Sequence, residues 1–133
     1  MNVLAIGSKI TIRSICNDIV KNVEKLNLVD YNINNYLNWN FSGSKNVNFF
    51  AGDLRNIDTL INSGLNEADV VIVDSSNDIE TLFIAQKSKV NPNIAIFVVL
   101  EDLNLTDTFE SLGFIVFDSH NLKITKLTNK LNR

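Results

Sequence analysis

The chain has 133 residues, 45% of them apolar and 20% charged. These are the values of a globular domain with a real core, not of a disordered segment. Twelve Lys and Arg stand against 15 Asp and Glu, a net charge of −3 with no basic run, so nothing supplies the electrostatic footprint of a nucleic-acid groove.

The longest wholly apolar run, residues 94–100, is far short of the roughly 20 residues that span a bilayer, so no direct membrane insertion is expected. The N-terminus is too short, and wrongly flanked, for a signal peptide. Cys16 is the one cysteine, which excludes an internal disulfide and a multi-cysteine metal site. The expected location is the cytoplasm, peripheral to the inner face of the membrane only through a partner. Asparagine clusters such as residues 32–40 have no ligand spacing and read as compositional bias.

In chain order, residues 3–6 form a short apolar strand that ends at Gly7. Residues 10–26 read as a helix, with Ile12, Ile15, Cys16, Ile19, Val23 and Leu26 on one stripe and Arg13, Asn17, Lys21 and Glu24 mostly opposite. Cys16 on that stripe reads as a buried core thiol. Leu28-Val29-Asp30 is a second strand. Residues 31–46 are the least readable. Tyr31, Ile33, Tyr36, Leu37 and Trp39 suit one or two helical turns, asparagine disfavours them, and Ser42-Gly43-Ser44 reads as loop.

Residues 47–51 form a third strand, and residues 57–63 a short helix closed by Gly64. The run Val70-Val71-Ile72-Val73 has no polar alternation, as expected of a parallel strand covered on both faces. Asn77 and Glu80 have the spacing of a capping box at the head of a helix over about 78–90, and Pro92 stops the chain beyond it. Residues 94–100 are a central strand. Leu105, Phe109 and Leu112 line a short helix ended by Gly113, residues 114–117 are a sixth strand, and residues 120–131 a last helix capped by Ser119.

Strands and helices alternating at this spacing predict an α/β fold: a Rossmann-like, doubly wound, parallel six-stranded sheet, with residues 1–133 as a single domain. Ligands of such folds sit at the carboxyl ends of the strands, at the switch point. Five of the six expected strands end in or beside an acid: Asp30, Asp53, Asp74, Glu101 and Asp118. Acids suit turns and helix N-termini for structural reasons alone. Asp30 also has a specific reading. It lies 23 residues after Gly7, near the spacing of about 20 at which a dinucleotide-binding domain places its ribose acid.

The loop Gly7-Ser8-Lys9 departs from the three-glycine pattern. Gly7 serves the tight turn, but Lys9 and Ile12 replace the second and third glycines. A side chain forced into left-handed geometry at position 9 would cost about 1–2 kcal/mol. Lys9 would either fill the phosphate position or pair with phosphate as a point charge. Ile12 would push the helix from the sheet or reorient it. His120, the single histidine, reads as a surface or capping group, and no catalytic constellation is present. The acid-rich edge leaves a divalent cation as an open alternative.

The linked run Gly52-Asp53, Leu60, Ser63-Gly64-Leu65, Glu67 to Ile72, Asp74 to Asp78 and Glu80-Thr81, followed by Leu112-Gly113-Phe114, resembles the N-terminal RCK domain, also called the Trk-A N domain. The resemblance covers nearly the whole chain. It implies a cytosolic, non-enzymatic regulatory domain of potassium channels and uptake systems that binds NAD, NADH or an adenine nucleotide. It further implies a homodimer and a membrane channel or transporter subunit as partner. Gly7 matches the first loop glycine, Asp30 the ribose acid and Asp53, after Gly52, the residue beside the adenine. Ser75 and Ser76 match the loop facing the pyrophosphate and the next ribose. Lys9, Ile12 and Arg55 depart from the pattern. The ligand-sensing subdomain that often follows in the family is not expected in these 133 residues.

The other readings are a degenerate module that assembles without nucleotide, and a small NAD-dependent oxidoreductase. The Gly52-Asp53-Leu54-Arg55 segment also resembles nucleotide-sugar epimerases, but neither Tyr31 nor Tyr36 has the lysine four positions on that such enzymes need.

Overall fold

The computed structural model describes residues 1–41 and 44–118. In chain order it contains β1 (Asn2–Ile6), α1 (Ile10–Ile19), β2 (Lys25–Asp30), β3 (Val47–Ala51), α2 (Ile57–Asn62), β4 (Val70–Val73), α3 (Asp78–Lys87), β5 (Ala95–Leu100), α4 (Thr106–Ser111) and β6 (Ile115–Asp118). Single 3-10 turns lie at Val20–Asn22, Ile33–Tyr36, Leu65–Glu67 and Leu103–Leu105. The strands form one six-stranded sheet in the order β3-β2-β1-β4-β5-β6, and every pairing is parallel. The chain therefore reverses its direction of growth between β1 and β4, which is the switch point of a doubly wound sheet. No helix among the described residues is long and apolar enough to cross a membrane.

The unbroken apolar strands are explained by two cores. Val3, Ala5, Leu26, Leu28, Val70 and Ile72 face one side and pack with Ile12, Ile15, Cys16 and Ile19 of α1. Leu4, Ile6, Val29, Val71 and Val73 face the other and pack with Leu60, Ile84, Ala85 and Phe109 of α2, α3 and α4. Successive strand residues point to opposite faces, so a strand covered on both faces, such as β4 or β5, has no exposed position for a polar residue and keeps one only where it is hydrogen-bonded. Burial pushes the pKa of the Cys16 thiol up, as befits a core group.

Three boundaries differ from the sequence expectation by more than one residue. The first helix ends at Ile19, not 26, because Val23 is already extended and Leu26 pairs with Val3 and Val47 in the sheet. Both residues are buried either way, so the apolar periodicity did not reveal the change of backbone. The second strand correspondingly starts three residues early, at Lys25. Helix α3 stops at Lys87, where the buried Ser88 hydroxyl donates back to the Ile84 carbonyl at 2.9 Å and Val90 N–H turns to the Ser88 carbonyl. The expected last helix, with Ser119 and His120, and residues 42 and 43 of the expected loop lie outside the described residues.

The poorly readable stretch after β2 is a wall of aromatic packing. Tyr36 is buried and meets Trp39 at 4.9 Å and Phe49 at 5.0 Å between ring centroids. The N-cap of α3 is as expected: Asn77 Oδ1 accepts from Glu80 N–H at 2.8 Å. Asn77 is exposed, so Asn77→Ala should remove little besides this bond. It is expected to lower stability by about 1 kcal/mol, read as a shift in the urea midpoint at unchanged slope.

Candidate functional site

The carboxyl ends of β1, β2 and β4 surround a cleft of about 250 Å3 lined by Gly7, Ser8, Lys9, Asp30, Tyr31, Asn35, Asp74, Ser75 and Ser76. Gly7 forms its floor. Its φ of +121° is a backbone conformation that favours glycine, and an added Cβ would lie 2.1 Å from the Asp74 carbonyl oxygen. Gly7 N–H donates to the Val29 carbonyl at 2.9 Å, and the Tyr36 hydroxyl donates to the Gly7 carbonyl at 2.7 Å. The turn is thus held from β2 and from the aromatic wall.

Asp30 ends β2 almost fully buried. The Ser8 hydroxyl and Asn35 Nδ2 donate to its Oδ2, the latter at 2.8 Å, and Tyr31 N–H donates to Oδ1 at 2.8 Å. The carboxylate is oriented by three donors and stands at the cleft wall, where it can accept from a ribose diol.

Lys9 is not strained. It has φ −70° and ψ 164° as the N-cap residue of α1, and no non-glycine residue among those described has positive φ. The expected steric penalty at this position is therefore absent. Its ammonium reaches across the ends of β4 and β5, donating to Glu101 Oε1 at 2.9 Å and the Ser76 carbonyl at 3.4 Å, with Asp74 Oδ1 at 4.0 Å. Ile12 is fully buried in the core beneath α1, where it serves as a packing residue between helix and sheet.

Asp74, just past β4, is 4% exposed, and its Oδ2 has no hydrogen-bond partner. Burial raises its pKa to about 6, against the pull of Lys9; Glu101 and Asp78 raise it further, and the Ile12 amide opposes them. Ser75 N–H is held by Thr81 Oγ1 at 3.0 Å. The Ser75 hydroxyl is near enough to Glu80 to help lower that carboxyl, yet has no partner at hydrogen-bond geometry.

The second half of the capping box is not formed. The Glu80 carboxylate instead accepts from the Ser76 and Tyr31 hydroxyls. Burial pushes Glu80 up, but these donors together hold it below its ordinary value. Burial and the Glu80 contact push the Tyr31 phenol up to about 12. Tyr31 thus bridges the β2 end to α3 on one side of the cleft, while Lys9 bridges the β1 loop to the β5 end on the other.

Of the residues singled out from sequence, the structure brings Gly7, Ser8, Lys9, Asp30, Ser75 and Ser76 together. Gly52 and Asp53 lie outside the lining. Gly52 N–H donates to the Asp30 carbonyl at 3.0 Å. Asp53 is half exposed and accepts from Arg55 N–H at 3.0 Å and Nε at 3.3 Å, and the Arg55 amide and guanidinium hold its carboxyl low. Tyr31, Asn35, Asp74 and Glu101 complete the site. The two acids were visible as strand-end residues, whereas nothing in the spacing marked Tyr31 or Asn35. Among the described residues no group of three or more His, Cys, Asp or Glu could hold a metal ion.

Residues 5–130 match the model of the TrkA-N domain. A comparison with curated proteins gives no match. Among solved structures, the Kef CTD of Shewanella denitrificans in AMP-bound form superposes with a TM-score of 0.68 at 17% identity, covering 85% of this chain and 67% of that one. The NAD(P)-binding domain of an exopolyphosphatase-related protein from Archaeoglobus fulgidus gives 0.70 at 14% identity, covering 98% and 96%. At such identities the likeness is one of fold.

Proposed function

The chain belongs to the TrkA-N domain family, and on that premise we propose that it is a cytoplasmic regulatory domain that binds a nicotinamide or adenine nucleotide. Its occupancy would bias a potassium channel or transporter in the membrane, to which the domain attaches as a homodimer. The observation that carries the nucleotide reading is Asp30, an oriented carboxylate at the wall of a cleft whose floor is the Gly7 turn at the switch point. The AMP-bound Kef domain, a protein of the same fold, supports it. A nucleotide regulates such a system only by binding two of its conformations with different affinity.

The proposal is of a binding domain without catalysis. Tyr31 titrates far above neutral pH, the Tyr36 hydroxyl is engaged with the Gly7 carbonyl, and neither has a lysine four positions on. A second reading, an assembly module that has lost its ligand, is favoured by the Lys9 ammonium lying across the crevice.

Calorimetric titration with NAD, NADH, ATP, ADP and AMP separates the two. One nucleotide is expected to bind at micromolar level, about −8 kcal/mol, and Asp30→Ala to weaken it at least about tenfold. Absence of binding at millimolar concentration would overturn the nucleotide reading and leave the assembly module.

A further inference from the structure

The crevice of a doubly wound sheet has two sides at its switch point, and a dinucleotide lies across both. Here the two sides are unequal. Among the described residues the cleft is lined from the ends of β1, β2 and β4 and by none of the β5 or β6 ends.

The other side is crossed by the Lys9 side chain on its way to Glu101. Glu101 is itself anchored, because its N–H and that of Asp102 donate to the two Asp78 carboxylate oxygens at 2.9 and 2.8 Å, tying the loop after β5 to the head of α3. Charge points the same way as space. Asp30 and Asp74 line the cleft and, among the described residues, Lys9 is the only basic one that does, so one phosphate finds a cation there and a second finds carboxylates. The unpartnered Oδ2 of the buried Asp74 and the amide end of α1, which has no side-chain cap, lie at this same point.

We propose that Lys9 is a specificity-determining residue that makes this a nucleoside monophosphate site: its ammonium takes the single phosphate, and its bridge to Glu101 bars the half of the crevice that a dinucleotide would need. The inference rests on the nucleotide reading above and narrows it. The ammonium has three N–H donors and Lys9 is 38% exposed, so it can take the phosphate with one donor while another keeps the bridge to Glu101. Asp30 holds the ribose hydroxyls, and the base lies toward Tyr31.

The test is calorimetric titration of the whole chain with AMP and with NADH, in the unaltered protein, Lys9→Ala and Glu101→Gln. Both substitutions are at the surface and leave the Gly7 turn intact. The unaltered protein is expected to bind AMP at least about tenfold more tightly than NADH. Lys9→Ala should weaken AMP and strengthen NADH, bringing the two within about threefold of each other. Glu101→Gln should keep AMP binding and gain NADH. NADH binding as tight as AMP in the unaltered protein, or a ratio that Lys9→Ala leaves unmoved, would overturn the assignment while leaving the nucleotide reading standing. Binding of neither ligand would overturn the assignment, and absence of binding by NAD, ATP and ADP as well would overturn the nucleotide reading.

Discussion

Gly7→Ala is expected to lower stability by about 4 kcal/mol or more, a large share of the roughly 5–15 kcal/mol that holds an ordinary domain folded. Two effects act at this residue. An L-residue held at a φ of +121° carries strain of about 1–3 kcal/mol. The new Cβ would also stand 2.1 Å from the Asp74 carbonyl oxygen and 3.0 Å from its carbon, a backbone contact that no side-chain rotation relieves. Nor can either strand move aside. Asp74 N–H donates to the Ile6 carbonyl at 2.9 Å, Gly7 N–H to Val29, and the Tyr36 hydroxyl to Gly7, so β1 and β4 are fixed at the centre of the sheet.

Gly113→Ala separates the two effects. Gly113 has φ +93°, but its nearest neighbour to a new Cβ is the flexible Lys89 Nζ at 4.0 Å, and the loss there should be only the strain, about 1–2 kcal/mol. Urea unfolding of both variants checks this. A Gly7→Ala protein within about 1 kcal/mol of the parent would mean that the turn relaxes and that the Gly7 floor of the cleft is not rigid.

The second large effect is the pH dependence caused by Asp74. The folded protein binds the Asp74 proton with a pKa of about 6, against about 3.9 for an unfolded aspartate. Between those values the folded state holds a proton that the unfolded chain has released. The contribution to stability is therefore complete below about pH 4 and is lost as pH rises through about 6, on the order of 3 kcal/mol in all.

Asp74→Asn removes the titration. The stability difference between the parent and Asp74→Asn should move in the parent's favour by that amount as pH falls from about 7 to 4, and flatten beyond either end. Urea midpoints of the two proteins across that range measure it. A difference that does not change with pH would mean that Asp74 stays charged in the fold, held by Lys9 and the Ile12 amide. The same carboxylate faces the cleft, so this proton also lowers the repulsion that an incoming phosphate meets.

Legibility from sequence followed the physical range of each interaction. β4 and β5 could be read because burial on both faces demands an unbroken apolar run. The Asn77 cap and the Gly64 stop could be read because both are made within a few residues. The start of β2 could not. Lys25 and Asn27 look unlike a central strand, yet the buried Asn27 donates to the Ser63 carbonyl at 2.8 Å and accepts from Asn48 Nδ2 at 3.1 Å, and these partners lie far along the chain. Residues 31–41 were opaque for a related reason. Their 3-10 turn is held by Tyr36 reaching Gly7, 29 residues back, and by ring contacts to Phe49 on another strand.

By itself the sequence determined the alternation of strand and helix, the glycine turn at the switch point and the acid at the end of β2. Each is a local matter of periodicity, of backbone freedom without a Cβ, or of spacing along one strand–helix–strand unit. Only the tertiary structure decided what Lys9 does. Position 9 proved to be an unstrained extended cap, and its ammonium found oxygens on Ser76 and Glu101, 67 and 92 residues away. Strand order in the sheet brings those residues to one edge, and strand order is set by the packing of whole elements. The carboxyl at position 74 was plain to read, but its burial, its orphaned oxygen and its place over the Gly7 turn exist only once β1 and β4 lie side by side.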